Sequence, residues 1–384
     1  MSKIKFKHGY IVSSGQGKDH ASVKIDGVLI TDLAAKSEDY ADRTIEAGGL
    51  TILSGFVDIH IHGAVGVDVN AGDMDGLVEV ARFLAGNGVT AWVPTLVPDA
   101  DENYRRVITA IDGLMEIQDD LPIARAVGVH YEGVFANEKM CGALRPEFFK
   151  KFTGSELSEL PRLKRGVHMT TLAPEIDGGI ELIRELRRQT WIVSIGHTKA
   201  DTGVLDKAFE AGAKHLTHFY NAMTGLHHRD IGVVGWALTN PDVTFDIIAD
   251  GVHVHPKMLE FACRSKSADS VSLISDSVAP AGLGDGEYEV WGEKLSVVNG
   301  RTRNERGSIA GSVITMLDAV KQMLSLGFSV VEVAKMASSN PARLLGIDNN
   351  YGSIEVGKRA DLVALDDEKN VKFVMVGGKV AFEG

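Results

Sequence analysis

The sequence predicts an α/β protein: a (β/α)8 barrel of the TIM type with a small β-sandwich domain built from both chain termini. From about residue 55 to 340, short apolar strand segments alternate with amphipathic helical segments, as in repeated βα units. This stretch is long enough for such a barrel, which typically needs ~250 residues. The two ends of the chain are strand-rich instead. We therefore predict the small domain in residues 1–54 and 341–384, with the barrel in residues 55–340.

The composition sets limits on the function. The chain has 384 residues, of which 44% are hydrophobic and 24% are charged, as in ordinary globular proteins. Its net charge of −12 argues against non-specific binding to nucleic acid. The first ten residues lack the apolar core of a signal peptide, and no apolar run approaches ~20 residues. We expect a cytoplasmic protein with neither a nucleic-acid partner nor a membrane partner.

The cysteines do not indicate a framework of their own. Cys141 and Cys263 lie far apart, and neither belongs to a CxxC pair. A disulfide scaffold and a cysteine zinc site are therefore not expected.

The terminal segments show strand-like alternation between glycine-bearing turns. At the start of the chain these segments are "YIVSS", "SVKIDGVLITDL" and "RTIEAGGLTIL". The tail "GSIEVGKRADLVALDDEKNVKFVMVGGKV" has the same character. We predict that both ends meet in one β domain beside the barrel.

Between these ends, the apolar periodicity predicts a series of helices. They lie near residues 102–118, 178–189, 201–211, 256–264, 312–326 and 329–338. Residues 284–310 interrupt the βα pattern with a hairpin-like segment, "GEYEVWGEKLSVVNGRT".

The first barrel strand, "FVDIHIHG", carries unusual polar residues. Alternation places Asp58, His60 and His62 on one face of the strand. Two imidazoles about 6.5 Å apart along a strand can converge on one ion. The alternative is a half-exposed strand whose polar face meets water.

The other predicted strands favour the metal interpretation, because they also end in ligand-type residues. These residues are His130 and Glu132; His197; His215, His218 and Asn221; Asp250, His253 and His255; and Asp276. Ten of the 13 histidines lie at these strand ends or in the "GLHHRD" loop. Since the chemistry of such barrels sits at the carboxyl ends of the strands, we predict a metal site there.

The residue types indicate the chemistry. Histidine and carboxylate ligands suit zinc or a related first-row divalent ion. An aspartate beside metal-bound water, such as Asp276, can accept a proton and pass it to a leaving group. For Asp276, a helix N-cap or a structural hydrogen bond is the alternative role.

These motifs give the chain a clear resemblance. It resembles the amidohydrolase superfamily and, within it, the deacetylases of phosphorylated amino sugars. The matching segments are "GFVDIHIHG", "HYEG", "IGHT", "HLTHFYNAM", "HHRDIGVVG", "IADGVHVHP", "SDSVAPAG", "SIAGS" and "NPARLLG…GSIEVGKRADLV". The resemblance implies hydrolysis of the N-acetyl group of N-acetylglucosamine 6-phosphate to glucosamine 6-phosphate and acetate, in amino-sugar catabolism.

The resemblance also implies metal ligands and a proton shuttle. Glu132, His197 and His218 would bind the main metal, and His60 and His62 would complete a second site. One or two divalent ions per chain are implied, with zinc favoured and iron or another first-row metal as alternatives. The general base, and then general acid, would be Asp276.

Substrate contacts follow from the same resemblance. His253 would contact the sugar or polarise the acetyl carbonyl. The phosphate would meet Asn221, Ala222 and Arg229, with His228 as a weaker candidate. The remaining residues expected to line the substrate site are Ala143, Ile309, Ala310 and Gly311. A homodimer is implied, with the neighbouring subunit close to the phosphate.

Some alternatives stay open at this stage. N-acetylgalactosamine 6-phosphate is the alternative substrate, since no residue visibly distinguishes the two sugars. Val134 departs from the proline that is common after "HxEG", so the loop carrying Cys141 is unusual. A non-catalytic scaffold is a remote alternative, because all the ligand positions are retained. No ligand role is expected for His130, His215 or Cys141, and His227 and His255 are left unassigned.

Overall fold

A computed structural model describes residues 3–13, 15–34, 40–154 and 156–384 of the chain. The first five strands precede the barrel: β1 (Lys3–Ser13), β2 (Gln16–Asp26), β3 (Leu29–Asp32), β4 (Arg43–Glu46) and β5 (Thr51–Ser54). Strands β20 (Leu362–Leu365), β21 (Val371–Val376) and β22 (Lys379–Glu383) form the tail. Ser14, the last residue of the predicted strand "YIVSS", lies outside the described residues.

These eight strands form one sheet that joins both ends of the chain. Its order is β22-β21-β20-β5-β1-β2-β3, with β4 also paired to β1. The pairs β1–β4 and β1–β5 are parallel and the others antiparallel. The rings of Phe6 and Phe373 lie 5.1 Å apart, although β1 and β21 are separated by two intervening strands. Because neighbouring strands are ~4.8 Å apart, the sheet folds over onto its own core.

The barrel elements alternate between strand and helix. In chain order they are β6 (Phe56–Ile61), β7 (Gly63–Ala64), β8 (Val67–Asp68), α1 (Met74–Gly86), β9 (Val89–Leu96), α2 (Asp101–Ile117), β10 (Arg125–Ala126), β11 (Gly128–Phe135), β12 (Val167–Leu172), α3 (Gly179–Arg188), β13 (Ile192–Ile195), α4 (Thr202–Glu210), β14 (His215–Leu216), α5 (Gly232–Thr239), β15 (Thr244–Ile248), α6 (Pro256–Ser265) and β16 (Val271–Ile274). Short 3₁₀ helices cover Glu138–Met140, Pro146–Phe148, Glu156–Glu159 and Ala268–Ser270.

The remaining elements follow the last barrel strand. They are β17 (Gly286–Val290), β18 (Glu293–Val298), β19 (Arg301–Asn304), α7 (Met316–Ser325), α8 (Val330–Ala334), a π-helical turn (Lys335–Ser339) and α9 (Asn340–Leu344). The predicted hairpin within residues 284–310 is therefore a three-stranded antiparallel sheet. Of the two helices predicted after it, the first begins later than expected, at Met316. The second continues from α8 into the π-helical turn.

The parallel barrel is almost closed. Its strand order is β6-β9-β11-β12-β13-β14-β15-β16, with the short β10 also paired to β9. The two end strands meet where the backbone N–H of Asp276 donates to the carbonyl of His60 over 2.9 Å. Beside this contact, the hydroxyl of Ser275 donates to Asp58 over 2.6 Å. The carboxyl ends of the first and last strands therefore border one site.

The predicted fold class is thus confirmed, and its physical basis is visible in β6. Every residue of this strand is buried, as expected where a parallel strand is covered on both faces. The structure ends β5 at Ser54 and begins β6 at Phe56. The finer division into residues 1–54, 55–340 and 341–384 stays a prediction. Among the described residues, no helix combines the length and apolar character needed to cross a membrane.

Candidate metal centre

Most of the predicted ligands are placed by the ends of barrel strands. His60 lies near the end of β6, and His62 follows that strand directly. His197, His218 and Asp276 each stand two residues beyond the end of a strand. These three residues have φ angles of 48°, 35° and 49°, in the left-handed region that non-glycine residues rarely adopt. Such strain is typical of functional sites that the surrounding structure holds in place.

Glu132, on β11, lies at the centre of the cluster. Its Oε1 lies 3.0 Å from Nε2 of His197 and 3.0 Å from Nε2 of His218. Its other oxygen, Oε2, lies 3.2 Å from Nε2 of His62. His60 Nε2 lies 3.5 Å from Oε1. One carboxylate therefore faces four imidazole nitrogens.

This arrangement forms two triads that share a residue. The first consists of Glu132, His197 and His218, and the second of His60, His62 and Glu132; within each, the ligand atoms lie within 4.8 Å of one another. All five residues are buried. Buried imidazole and carboxylate groups converging on one point fit a first-row divalent ion. If each triad held an ion, Glu132 would be a ligand in both sites.

The electrostatics of the cluster are those of charged groups paired away from water. Burial opposes protonation of His62, but its hydrogen bonds with Asp276 and Glu132 outweigh burial and raise its pKa to about 10. For His218, burial is likewise outweighed by Glu132, and the pKa rises to about 9. Burial would raise the pKa of Glu132, yet the nearby His60 and the hydrogen bonds from the other histidines hold it well below its ordinary value.

Metal binding is expected to release protons. At neutral pH the raised pKa values keep His62 and His218 protonated, whereas an imidazole must be neutral to bind a metal. The metal affinity should therefore increase with pH up to about 9–10, and the proton release should vanish above that range. Calorimetric titration with Zn²⁺ in buffers of different ionisation enthalpy measures the protons released. His62→Asn should remove one proton from the total, and equal heats in all buffers would contradict this prediction.

Asp276 lies beside the second triad. Its Oδ1 is 3.2 Å from Nε2 of His62 and 3.5 Å from Nε2 of His60. Burial raises the pKa of Asp276, but the two histidines outweigh burial and hold the pKa below its ordinary value. The carboxylate is therefore ionised and able to accept a proton.

A cavity of about 300 Å³ opens onto the cluster. This volume is at the lower end of the range for small-molecule sites. Several of the predicted substrate residues line it: Ala143, Asn221, Ala222, His253, Ile309 and Gly311. Nδ1 of His253 lies 2.6 Å from Oδ2 of Asp250, a contact that leaves Nε2 of the ring for a ligand. Ala310 is 98% buried beside this wall and does not line the cavity.

Arg229 and His228 lie elsewhere in the structure. Both are exposed in the loop after Met223, and Nη1 of Arg229 contacts Nε2 of His228 over 2.7 Å. Neither residue is among the described residues that line the cavity. Within a single chain, these two of the four predicted phosphate contacts are therefore not brought to the metal centre, whereas Asn221 and Ala222 are.

Some cavity residues were missed by the sequence analysis: Gly142, Leu144, Trp291 and Ser308. The ring of Trp291 packs edge-on against His62, with ring centroids 5.2 Å apart. Trp291 lies in the turn between β17 and β18 and has a φ of 55°, although such turns favour Asn or Gly. The bulky Trp291 in a "WG" turn, where a small residue is usual, was the sequence feature that could have indicated its role in the cavity.

The histidines that were not predicted to bind the metal or the substrate have other contacts. His130 Nε2 lies 2.7 Å from Oγ1 of Thr171 below the cluster, in keeping with a role outside the ligand set. His255 caps α6 by accepting from the N–H of Lys257 over 3.2 Å. His227 contacts His228 in the exposed loop, with ring centroids 4.3 Å apart and the two rings tilted by 45°.

Comparison with known proteins identifies related sequences over nearly the whole chain. The model of the amidohydrolase family matches residues 51–381. The chain is 35% identical to the N-acetylgalactosamine-6-phosphate deacetylase of Escherichia coli O157:H7, covering 97% of each protein. It is 34% identical to the N-acetylglucosamine-6-phosphate deacetylase of Bacillus subtilis (strain 168), covering 93% of this chain and 91% of the relative.

A solved structure gives the same picture. The N-acetylglucosamine-6-phosphate deacetylase of Thermotoga maritima superimposes with a TM-score of 0.88 at 32% identity. The match covers 99% of this chain and all of that one. The terminal sheet and the barrel therefore both have counterparts in a known enzyme.

Proposed function

This chain belongs to the amidohydrolase family, and we propose that it hydrolyses the N-acetyl group of N-acetylglucosamine 6-phosphate, giving glucosamine 6-phosphate and acetate. The observation that carries the proposal is the buried carboxylate of Glu132, shared by two histidine pairs with Asp276 alongside. Relatives that deacetylate two different amino-sugar phosphates support the reaction type. Their nearly equal identities leave N-acetylgalactosamine 6-phosphate as the alternative substrate.

The residues divide the work of amide hydrolysis. Glu132, His197 and His218 would hold a divalent ion, and such an ion would supply Lewis-acid chemistry to the bound water and the acetyl carbonyl. Asp276 accepts the proton of the attacking water and returns it to the nitrogen of the departing amine. His253, held by Asp250, presents Nε2 to the substrate and is placed to contact the sugar or the carbonyl oxygen.

We propose zinc as the metal, with iron or another first-row ion as the alternative. The donor set of imidazole and carboxylate groups suits these ions. His60, His62 and Glu132 form a second site, so each chain has room for two ions. Elemental analysis of the purified protein identifies the metal and its stoichiometry.

The phosphate site is proposed to form in a homodimer. Asn221 and Ala222 line the cavity. In the proposed site they would supply part of the phosphate contact. The exposed loop with Arg229 and His228 would supply the rest by reaching the cavity of a neighbouring subunit. Arg229 can form a charge-assisted and bidentate contact with a phosphate. The charged sugar phosphate also agrees with the cytoplasmic location that we propose.

Arg229→Ala is expected to raise KM for the phosphorylated sugar by about 10- to 100-fold, the worth of a charge-assisted contact of roughly 1.5–3 kcal/mol. The KM for the unphosphorylated sugar should change little, because the lost contact is to the phosphate. Steady-state kinetics on both sugars measures the difference. Arg184→Ala, on the exposed surface of α3, is the matched control. An equal effect of Arg229→Ala on both sugars would show that Arg229 is structural.

The proposed function is tested by assaying acetate release from both phosphosugars with the metal-loaded protein. The proposal predicts a higher kcat/KM for the gluco sugar, whereas a higher value for the galacto sugar would establish the alternative. A folded, metal-loaded protein that releases acetate from neither sugar would favour a non-catalytic scaffold.

A further inference from the structure

The four histidines of the metal centre are held in two different ways. His62 Nδ1 lies 3.2 Å from the carbonyl oxygen of Thr95, and His197 Nδ1 lies 2.8 Å from that of Met140. Nδ1 of His60 and of His218 is buried and has no hydrogen-bond partner among the described residues. Ligating histidines are usually oriented through the ring nitrogen that does not face the metal. Among the described residues, the contacts that orient His218 are therefore to be found elsewhere than at Nδ1.

A buried aspartate supports the backbone of His218. Asp246, on β15, is fully buried, and its Oδ1 accepts the backbone N–H of His218. Its Oδ2 lies 3.1 Å from Nε2 of His215. Nδ1 of His215 in turn lies 2.8 Å from Oγ1 of Thr244. The carboxylate is thus fixed on one side by His215 and bonded on the other to the ligand's own peptide group.

This contact acts where the backbone is strained. The φ angle of His218 is 35°, and a non-glycine residue keeps such a conformation only when its surroundings impose it. The peptide N–H of the next residue, Phe219, donates to the carbonyl of Asp246 over 2.8 Å, so two successive N–H groups are held by one residue. The direction in which the His218 ring points therefore depends on the backbone turn at His218 and Phe219, which Asp246 holds through these two hydrogen bonds.

We propose that Asp246 is a positioning residue for the metal ligand His218. It sets the ring through the backbone, in place of the usual hydrogen bond to the ring nitrogen. His215 completes the device by orienting the carboxylate. The inference rests on the metal-binding part of the proposed function and is independent of which substrate the enzyme uses.

The test compares Asp246→Ala and Asp246→Asn in the full chain, with Co²⁺ as the probe ion. Alanine removes the acceptor for the His218 N–H, whereas asparagine keeps an acceptor oxygen and removes the charge. Asp361→Ala is the matched control, because Asp361 is also a buried aspartate that accepts a backbone N–H, from Gly377 over 2.6 Å, but lies beside the terminal sheet. Thermal unfolding of the metal-free proteins measures how much stability each variant has lost, so that variants with similar losses can be compared.

In Asp246→Ala, the Co²⁺ affinity of the site formed by Glu132, His197 and His218 should fall by about 10- to 100-fold, with a changed Co²⁺ absorption spectrum. The site with His60 and His62 should change less. Asp246→Asn should lose less than about tenfold, since it keeps the acceptor. Asp361→Ala should bind Co²⁺ like the parent protein despite its lower stability.

Parent-like Co²⁺ affinity and spectrum in Asp246→Ala would overturn the proposal. A loss in Asp246→Asn as large as in Asp246→Ala would also overturn it, because the charge and not the backbone contact would then matter. If Asp246→Ala does not fold, His215→Asn provides the test by freeing the carboxylate, and unchanged affinity there would count against the proposal. A parent protein that binds no Co²⁺ would instead refute the metal site itself.

Discussion

Replacing Asp276 with asparagine is expected to lower kcat by about 10²- to 10⁴-fold while leaving the bound metal in place. The change keeps the shape of the side chain and removes the group that accepts the proton of the attacking water. Asp276 stands 3.2 Å from His62 but is not needed to complete either triad of ligands. Metal content, substrate affinity and kcat are to be measured on this one variant.

The pH profile supplies a second measurement on the same variant. The pKa of Asp276 lies below its ordinary value, because His60 and His62 outweigh the effect of burial. Activity of the parent protein should therefore rise with pH through an acidic apparent pKa, and the asparagine variant should lose this rise. Asp285→Asn, in an exposed turn outside the cavity, is expected to behave like the parent. Loss of metal from Asp276→Asn would make Asp276 a ligand, and near-normal kcat would remove it from the mechanism.

Replacing Glu132 with glutamine is expected to abolish metal binding at both sites and to lower activity by roughly 10³-fold or more, since the Lewis acid is worth several kcal/mol. Glu132 is the one residue common to both triads. A neutral amide of the same shape cannot balance the charge of two divalent ions. In the metal-free protein it also cannot balance the positive charge that the raised pKa values give to His62 and His218. Elemental analysis after dialysis against a metal buffer measures the loss.

His60→Asn is the contrasting variant for this prediction. It removes a ligand of the second triad only, so it should lose one ion per chain and retain the ion held by His197 and His218. Equal metal loss in the two variants would show that the histidine pairs hold one ion together. If the as-purified and the metal-saturated parent protein both bind one ion per chain, and His60→Asn leaves that ion and the activity unchanged, a chain with two ions is ruled out.

Local sequence patterns predicted much of the fold and many of the candidate metal ligands. Alternation in β6 was enough to bring His60 and His62 to one face, because a strand repeats every two residues wherever it lies. The helix predicted near residues 102–118 is α2 (Asp101–Ile117), since the apolar spacing that predicts a helix is the spacing by which it packs. Glu132, His197 and His218 were candidates because the active sites of such barrels lie at the carboxyl ends of the strands.

Other features depended on residues that are distant in sequence. Closure of the barrel is what brings Glu132 to both histidine pairs, since Glu132 is 65 residues from His197 and 86 from His218. Trp291 contacts His62 because the three-stranded sheet β17–β19, which follows the last barrel strand, places this residue in the wall of the cavity. Arg229 lies exposed on a loop of the single chain, so its predicted phosphate contact depends on a neighbouring subunit and stays a prediction. Local sequence determines periodicity and therefore the face on which a side chain lies, whereas strand register and barrel closure determine which faces meet.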